Sequence, residues 1–149
     1  MENIKTLVKE VLEKGYLMSL ATHDDGGVWV SDVSYIHNDE LKIYWRSQTG
    51  VRHSKAILQN KKVAGTITAN NPGEDNLGIQ FEGIAEKIEG SRPDLMKIYC
   101  EKRKKPIMME EEDIAEGRSW YVLKPLKIEL IYEKLFGFNK QKLELNHGQ

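Results

Sequence analysis

The first apolar residues of the chain recur with the period of a helix and form one stripe. They are Ile4, Leu7, Val8, Val11 and Leu12. Residues spaced i, i+3, i+4, i+7 and i+8 share one helical face. The pattern predicts an amphipathic helix over residues 2–14, and Gly15 is expected to be its C′ residue.

The spacing then changes to that of β-strands. Aromatic and β-branched residues fill segments 16–22, 28–36 and 41–46. Turn-forming residues at 24–27 and 37–40 separate these segments. The pattern therefore predicts an antiparallel meander of three strands.

Within the third strand, apolar positions alternate with more polar ones. Leu41, Ile43 and Trp45 are expected on one face, and the residues between them, Tyr44 included, on the other. Such alternation is typical of a sheet that is buried on one side.

The second half of the chain predicts more strands and two helices. Residues 51–59 have a short helical pattern, and segments 62–69 and Leu77–Ile88 are typical of strands. Ser91 with Asp94 three residues later resembles a capping box, which would begin another helix.

The end of the chain is expected to carry the last strands of the sheet. Segments 120–123 and 127–133 have strand character, with a break or bend near Pro125. A polar extension over residues 136–149 follows.

About six strands and three helices with short connections predict a mainly β, α+β fold in which one antiparallel sheet closes on itself. The 149 residues fit a single domain. A barrel this small fills its interior with its own side chains. A ligand is therefore expected outside the barrel, in a groove or between subunits.

Composition narrows the functional classes. Lys plus Arg number 22 and Asp plus Glu 23, which argues against a broadly basic nucleic-acid binder. A lone cysteine, Cys100, excludes an intramolecular disulfide framework and fits a reducing compartment. No apolar run approaches the roughly 20 residues of a membrane span, and no signal peptide is recognisable. The expected location is the cytoplasm, with no membrane or nucleic-acid partner.

The most informative segment, 44–55, runs from a strand end through Gly50 into a helix. Its candidate anion ligands are Ser47, Thr49, Arg52 and His53. Helix N-termini present unpaired N–H groups, and hydroxyls and an arginine add donors for a phosphate. The alternative is that Ser47 or Thr49 only caps the helix.

Polar residues also interrupt the strand that precedes this segment. The candidates there are Ser31, Asp32, Val33, Ser34 and Tyr35. Buried polar groups without partners are costly, so these residues are expected to be paired, hydrated or directed at a ligand. An open rim or a wet interface is the alternative to a ligand face.

Other chemistry has weaker support. The histidines His23, His37, His53 and His147 lack metal-ligand spacing, so no metal site is predicted. Cys100 has cationic neighbours at helical spacing but is more simply a half-buried helix cysteine. No nucleotide-binding or hydrolase motif is present, and no catalytic residue is assigned.

The order of these segments resembles the pyridoxamine 5′-phosphate oxidase-like FMN-binding split-barrel family, over about residues 4–138. The segments that carry the resemblance are 16–22, 29–33, 41–45, 52–53, 60–64 and 78–86. Residues 135–140 are similar to an uncharacterised bacterial branch of that family.

The resemblance implies a homodimer of split barrels with FMN in two clefts at the interface. It implies that Ser47 and Arg52 contact the FMN phosphate, and that the segment from Ser31 to Ile36 lines the flavin ring and the ribityl chain. Thr49 is expected to contribute to the same phosphate site, as is His53, which stands where the family usually has lysine.

Other positions depart from the true oxidases. Those enzymes have an arginine and a lysine where this chain has Ser31 and Ile36, and the matching tail lacks their substrate-binding Trp and Arg. The resemblance therefore implies an FMN-binding protein, and a flavin-dependent oxidoreductase that does not oxidise pyridoxamine phosphate. The alternatives are a non-catalytic flavin- or haem-binding or sensing module, or a scaffold without cofactor. A deazaflavin or another flavin-like cofactor is also open, since fold does not fix function.

Overall fold

The computed structural model describes residues 3–146, which form one antiparallel sheet with helices packed against it. The elements in chain order are α1 Ile4–Lys14, β1 Leu17–Asp24, β2 Gly27–Ser34, β3 Ile36–His37, β4 Ile43–Gln48, α2 Arg52–Gln59, β5 Lys62–Thr68, β6 Leu77–Ile88, α3 Pro93–Lys102, a 3-10 helix Glu112–Gly117, β7 Arg118–Tyr132, α4 Glu133–Phe136 and β8 Gln141–Glu144. The predicted helix at 2–14 corresponds to α1, and the predicted strand segments correspond to strands of the sheet. The predicted meander of three strands is wrong beyond β1 and β2, because β4 pairs with β3 and β7 and not with β2. The polar extension predicted over residues 136–149 also contributes a strand, β8.

The strand order is β2-β1-β5-β6-β7-β4-β3, with β8 pairing to β7. Each pairing is antiparallel. The sheet curls into a half-barrel, which confirms the predicted split-barrel fold class. Strand β2 pairs only with β1 among the described strands, so it forms one edge of the sheet.

The sequence predicted a break or a bend near Pro125, and the structure has a continuous strand β7 with an irregularity at this point. The strand pairs with β6 along its length, and the register shifts between Glu82 and Gly83. A Cβ on Gly83 would meet the Lys124 carbonyl oxygen and lie 2.9 Å from the Pro125 Cα. A bulge opposite a glycine accommodates proline, which has no N–H for the sheet, without ending the strand.

The main core lies between α1 and the inner face of the sheet. Leu7, Val8, Val11 and Leu12 of α1 are buried, as the apolar stripe predicted. They pack with inward-facing residues of the sheet, among them Met18, Leu20, Ile67, Ile79 and Trp45.

A second cluster covers the other side of β4. Tyr44 is only 9% exposed and lies with Ile36, Trp120 and residues of α3, including Cys100. The expectation that this sheet is buried on one side was therefore wrong for β4, because α3 packs on the face that contains Tyr44. The half-buried helix position expected for Cys100 is instead fully buried.

Gly15 ends α1 for a different reason from the one predicted. Its backbone is extended, with φ −70° and ψ 158°, and is not left-handed. A Cβ at this position would collide with the Tyr35 hydroxyl and with the Ile67 side chain. The glycine is needed because the sheet approaches the end of the helix closely.

The buried carboxylate of Asp113 organises the segment between α3 and β7. It accepts hydrogen bonds from the Ser91 hydroxyl at 2.7 Å, the Arg92 N–H at 2.9 Å and the Trp120 indole at 2.7 Å. The predicted capping box is therefore wrong. Ser91 bonds to Asp113, and Asp94 pairs with the Arg92 side chain.

Candidate functional site

Helix α2 begins directly after the end of β4 and has no side-chain cap. Its N-cap is Val51, and within residues 3–146 no side chain accepts a hydrogen bond there. The Ser54 hydroxyl donates instead to the Gln48 carbonyl at 2.7 Å. The alternative that Ser47 or Thr49 caps the helix is therefore wrong, and the first N–H groups of α2 remain open to a ligand.

Ser47 lies beside His53 at this helix end. The Ser47 Oγ and the His53 Nε2 are 2.9 Å apart, and both side chains are half-buried. Burial lowers the pKa of His53 below its ordinary value. The imidazole is therefore neutral at pH 7. One donor of the pair remains available: the His53 Nδ1–H if Ser47 donates to Nε2, or the Ser47 O–H if the Nε2–H donates to Ser47.

Arg52 occupies the other side of the helix end. Its Nε donates to Asp24 Oδ2 at 3.1 Å and its Nη2 to Asp24 Oδ1 at 3.2 Å. The guanidinium carbon lies 4.6 Å from the centre of the Trp29 ring, which is a cation–π distance. These hydrogen bonds lower the pKa of Asp24, so the carboxylate is ionised at neutral pH.

Thr49 connects the site to the segment before β7. Its N–H donates to the Gly117 carbonyl at 2.9 Å, and its side chain is half-exposed. The structure therefore brings Ser47, Arg52 and His53 together around the start of α2, with Thr49 in the preceding loop.

The side chains of the β2 candidates point in different directions. Asp32 is exposed on the outer face and accepts a hydrogen bond from the Ser19 hydroxyl at 2.6 Å. Ser34 is half-buried and accepts from Arg103 at 2.9 Å. Ser31 and Val33 face the other side of the sheet, opposite Leu20 and Met18.

Tyr35 lies in the core rather than in a cleft. Its hydroxyl donates to the Leu12 carbonyl at 2.7 Å, and the Lys102 ammonium lies 3.8 Å from the centre of its ring. Burial raises the pKa of Tyr35. Contact between Tyr35 and a ligand would therefore use the backbone, since the side chain is fully occupied.

The donor groups at the start of α2 are of the kind that bind phosphate oxygens. Open N–H groups of α2, the Ser47–His53 pair and the Arg52 guanidinium are all suited to phosphate oxygens. The edge of β2 that faces away from β1 leaves backbone N–H and C=O groups for the polar edge of a ring.

Sequence patterns indicate Asp24 only as a turn residue and Trp29 only as a strand residue. Asp24 and Arg52 are 28 positions apart. The spacing of residues in the sequence cannot predict this contact, because the contact forms only when α2 packs against the β1–β2 hairpin.

Two further features concern metals and membranes. Over residues 3–146, no three His, Cys, Asp or Glu side chains are grouped closely enough to hold a metal ion, and His147 lies outside the described residues. In the same part of the chain, no helix has the length and apolar character to cross a bilayer.

The sequence profile of the pyridoxamine 5′-phosphate oxidase family matches residues 4–132. The chain belongs to this family. A UPF0306 protein of Photorhabdus laumondii is 27% identical over 97 residues, which cover 63% of this chain and 68% of that protein. Another UPF0306 protein, from Enterobacter, is 28% identical over 88 residues, which cover 58% of this chain and 62% of that protein.

Solved structures similar to this member of the pyridoxamine 5′-phosphate oxidase family have different described functions. General Stress Protein 26 of Bacillus anthracis has a TM-score of 0.74 and 17% identity, with 97% of this chain and 100% of that chain covered. HutZ, the haem storage protein of Vibrio cholerae, has a TM-score of 0.62 and 14% identity, with coverages of 83% and 91%. An F420 reductase has a TM-score of 0.64 and 19% identity, with coverages of 80% and 94%. At these identities the similarity shows the fold alone.

Proposed function

We propose that this protein binds FMN and acts as a flavin-dependent oxidoreductase. The single observation that carries the proposal is the uncapped start of α2, where Ser47, His53 and Arg52 lie at the end of β4. Membership of the pyridoxamine 5′-phosphate oxidase family supports a flavin as the ligand. Bound FMN would supply hydride or electron transfer.

The residues of the chain would bind and orient the cofactor. The N–H groups of α2, Ser47, Thr49, His53 and the Arg52 guanidinium would hold the phosphate. The open backbone edge of β2 between Ser31 and Tyr35 would pair with the polar edge of the ring. Ser31 and Ile36 stand where the true oxidases have an arginine and a lysine, so we propose a substrate other than pyridoxamine phosphate.

Arg52→Ala tests the phosphate assignment. Loss of a charge-assisted contact should weaken FMN binding by roughly tenfold or more, while riboflavin, which lacks the phosphate, should bind as before. Fluorescence quenching of each flavin on titration with the protein measures both affinities.

Arg92→Ala is the matched control, because Arg92 also pairs with an aspartate, Asp94, but on α3. It should leave the affinities for both flavins unchanged. Equal FMN affinity in Arg52→Ala and in the unaltered protein would contradict the assignment. A protein that binds neither FMN nor riboflavin would contradict the proposed function as a whole.

A haem-binding or haem-storage role is the second candidate. The haem storage protein HutZ shares this fold, which is the observation that favours it. Titration with haemin separates the two candidates, because bound haem gives a Soret band and bound flavin gives the two bands of oxidised flavin. A Soret band with saturable binding, and no flavin binding, would replace the FMN proposal.

We also propose that two copies associate through the outer face of the β1–β2–β5 region. Val28 and Val30 are 70% and 59% exposed there, and Val30 lies opposite Ala21, which in turn lies opposite Ala64. Exposed valines beside alanines form an apolar patch of the kind that a partner covers. A cytoplasmic location is part of the proposal, because the lone cysteine, Cys100, fits a reducing compartment.

A further inference from the structure

The Arg52 side chain is fixed in a way that a solvent-exposed arginine is not. Asp24 holds it by two hydrogen bonds, of 3.1 and 3.2 Å, and the Trp29 ring covers one face of the guanidinium. The two charged side chains are 37% and 15% exposed. A bidentate pair with a stacked aromatic ring restricts the rotation of the whole group.

The turn between β1 and β2 in turn fixes Asp24. The Gly26 N–H donates to Asp24 Oδ1 at 2.8 Å. A Cβ on Gly26 would lie 3.2 Å from both the Arg52 Nη2 and the Asp24 Oδ1, so the glycine leaves room for the pair. The carboxylate therefore has a set position and does not depend on a flexible side chain.

The pair uses only one edge of the guanidinium. Asp24 takes the Nε and Nη2 donors, and within residues 3–146 no hydrogen bond involves the Arg52 Nη1. Guanidinium has five N–H donors in a planar fork, so the Nη1 side can still bind a second anion.

Arg52 belongs to the same helix start as the Ser47–His53 pair. Arg52 is the first residue of α2 and His53 the second, so their side chains leave the helix at neighbouring angles, roughly 100° apart. The uncapped N–H groups of α2, the Ser47–His53 pair and the Asp24–Arg52 pair therefore all belong to the same helix end.

We propose that Asp24 is a positioning residue of the anion site. It holds the Arg52 guanidinium by the Nε–Nη2 edge and leaves the Nη1 edge for a phosphate monoester, with Trp29 fixing the plane of the group. The proposal rests on the proposed function, since it assigns a phosphate to the start of α2.

Charge alone predicts the opposite effect for this carboxylate. Removing a negative charge close to an anion site should strengthen the binding of an anion. Weaker binding after Asp24→Asn would therefore report lost orientation of Arg52, and a change of local charge would not explain it.

The experiment measures the affinities of four proteins for FMN and for riboflavin: the unaltered chain, Asp24→Asn, Arg52→Ala and the double variant. Asp24→Asn should weaken FMN binding by roughly tenfold and leave riboflavin binding within about twofold. In the Arg52→Ala background, Asp24→Asn should leave FMN binding the same or strengthen it, because the positioning effect of Asp24 acts through Arg52 and only the loss of its negative charge remains.

Asp25→Asn is the matched control. Asp25 is the next residue of the same turn, is exposed, and makes its hydrogen bond through its backbone N–H to Gln59. Asp25→Asn removes the same charge from the turn but leaves the contacts of Arg52 intact. FMN binding by this variant should therefore stay the same or strengthen.

Other outcomes would overturn the proposal. Equal or stronger FMN binding by Asp24→Asn would show that Asp24 does not position Arg52, or that it competes with the phosphate. Equal weakening for FMN and riboflavin would show a structural role only. If the unaltered protein binds FMN but Asp24→Asn has no effect, the proposed function stands without this inference; if it binds neither flavin, both fail.

Discussion

Arg52 and His53 are neighbours in the chain, but they would contribute to the site in different ways. The Arg52 guanidinium is held by two hydrogen bonds to Asp24. His53 is half-buried beside Ser47, and burial lowers its pKa, so its imidazole is neutral at pH 7. A phosphate placed next to His53 would stabilise the protonated ring. Binding would then be coupled to the uptake of a proton.

This coupling predicts that FMN binding weakens as the pH rises. At a pH above the lowered pKa of His53 in the free protein, binding requires the uptake of a proton. The free-energy cost of this uptake increases with pH until the pKa of His53 in the bound state is reached. We expect the FMN dissociation constant to increase with pH between the pKa values of His53 in the free and the bound protein, by up to about tenfold per pH unit, the factor that one linked proton gives. Isothermal titration calorimetry in buffers of different ionisation enthalpy measures the proton uptake.

His53→Gln is the control for this linkage, because the amide keeps a donor and an acceptor but does not titrate. The FMN phosphate titrates in both proteins, so only the difference between them reports His53. Identical pH profiles would contradict a contact between His53 and the phosphate.

At the scale of elements, the periodicity of apolar residues predicted the features that depend on residues close together in the sequence. The apolar stripe gave α1 to within two residues, and alternating segments gave the strands on either side of α2. Features that depend on residues far apart in the sequence could not be predicted from these patterns. The continuity of β7 through Pro125 depends on Gly83 of β6, and the partner of Ser91 is Asp113. In the candidate site, Ser47 and His53 are close in sequence and were found together, whereas Asp24 was missed.

Asp113 lies in the 3-10 helix and connects it to two other elements. Its hydrogen-bond donors are Ser91 and Arg92, just before α3, and Trp120 of β7. Burial raises the pKa of Asp113, but the hydrogen bonds from the Arg92 N–H, the Trp120 indole and the Ser91 hydroxyl outweigh burial. The pKa of the carboxyl is therefore lower in the folded protein than in the unfolded chain.

Asp113→Asn should reduce the free energy of unfolding by about 2–4 kcal/mol at pH 7, because buried donors lose a charged acceptor. Since the folded-state pKa is depressed, the carboxylate stabilises the fold above the unfolded pKa of about 3.9, and this contribution disappears as the pH falls through the folded value. The difference between the two proteins should therefore shrink below about pH 4. Urea unfolding at pH 7 and pH 3 measures it, and a constant difference would contradict an ionised Asp113.

At the scale of the whole molecule, the proposed dimer surface and the start of α2 are connected by β2. Val28 and Val30 lie on the outer face of the same strand whose Trp29 packs on Arg52. Association through this face would bring the backbone edge of β2 close to a second copy. A cofactor bound along that edge would then contact both subunits.

Val30→Asp should convert the dimer to a monomer, because a charge in the centre of an apolar interface has no partner. Light scattering coupled to size-exclusion chromatography gives the mass of each protein. Ile98→Asp is the control, since Ile98 is exposed on α3, away from this face. A monomeric unaltered protein, or a dimer that persists in Val30→Asp, would argue against the surface.

The shared strand β7 has a consequence for how the chain is made. Residues 118–123 are the partners of β4, and the same strand pairs along its length with β6. During synthesis, β4 and β6 leave the ribosome long before this common neighbour exists, so both have exposed backbone edges that invite aggregation. A chain that stops before residue 118 keeps those edges open permanently. Truncation before residue 118 would therefore leave the chain more prone to aggregation than the chain that includes β7.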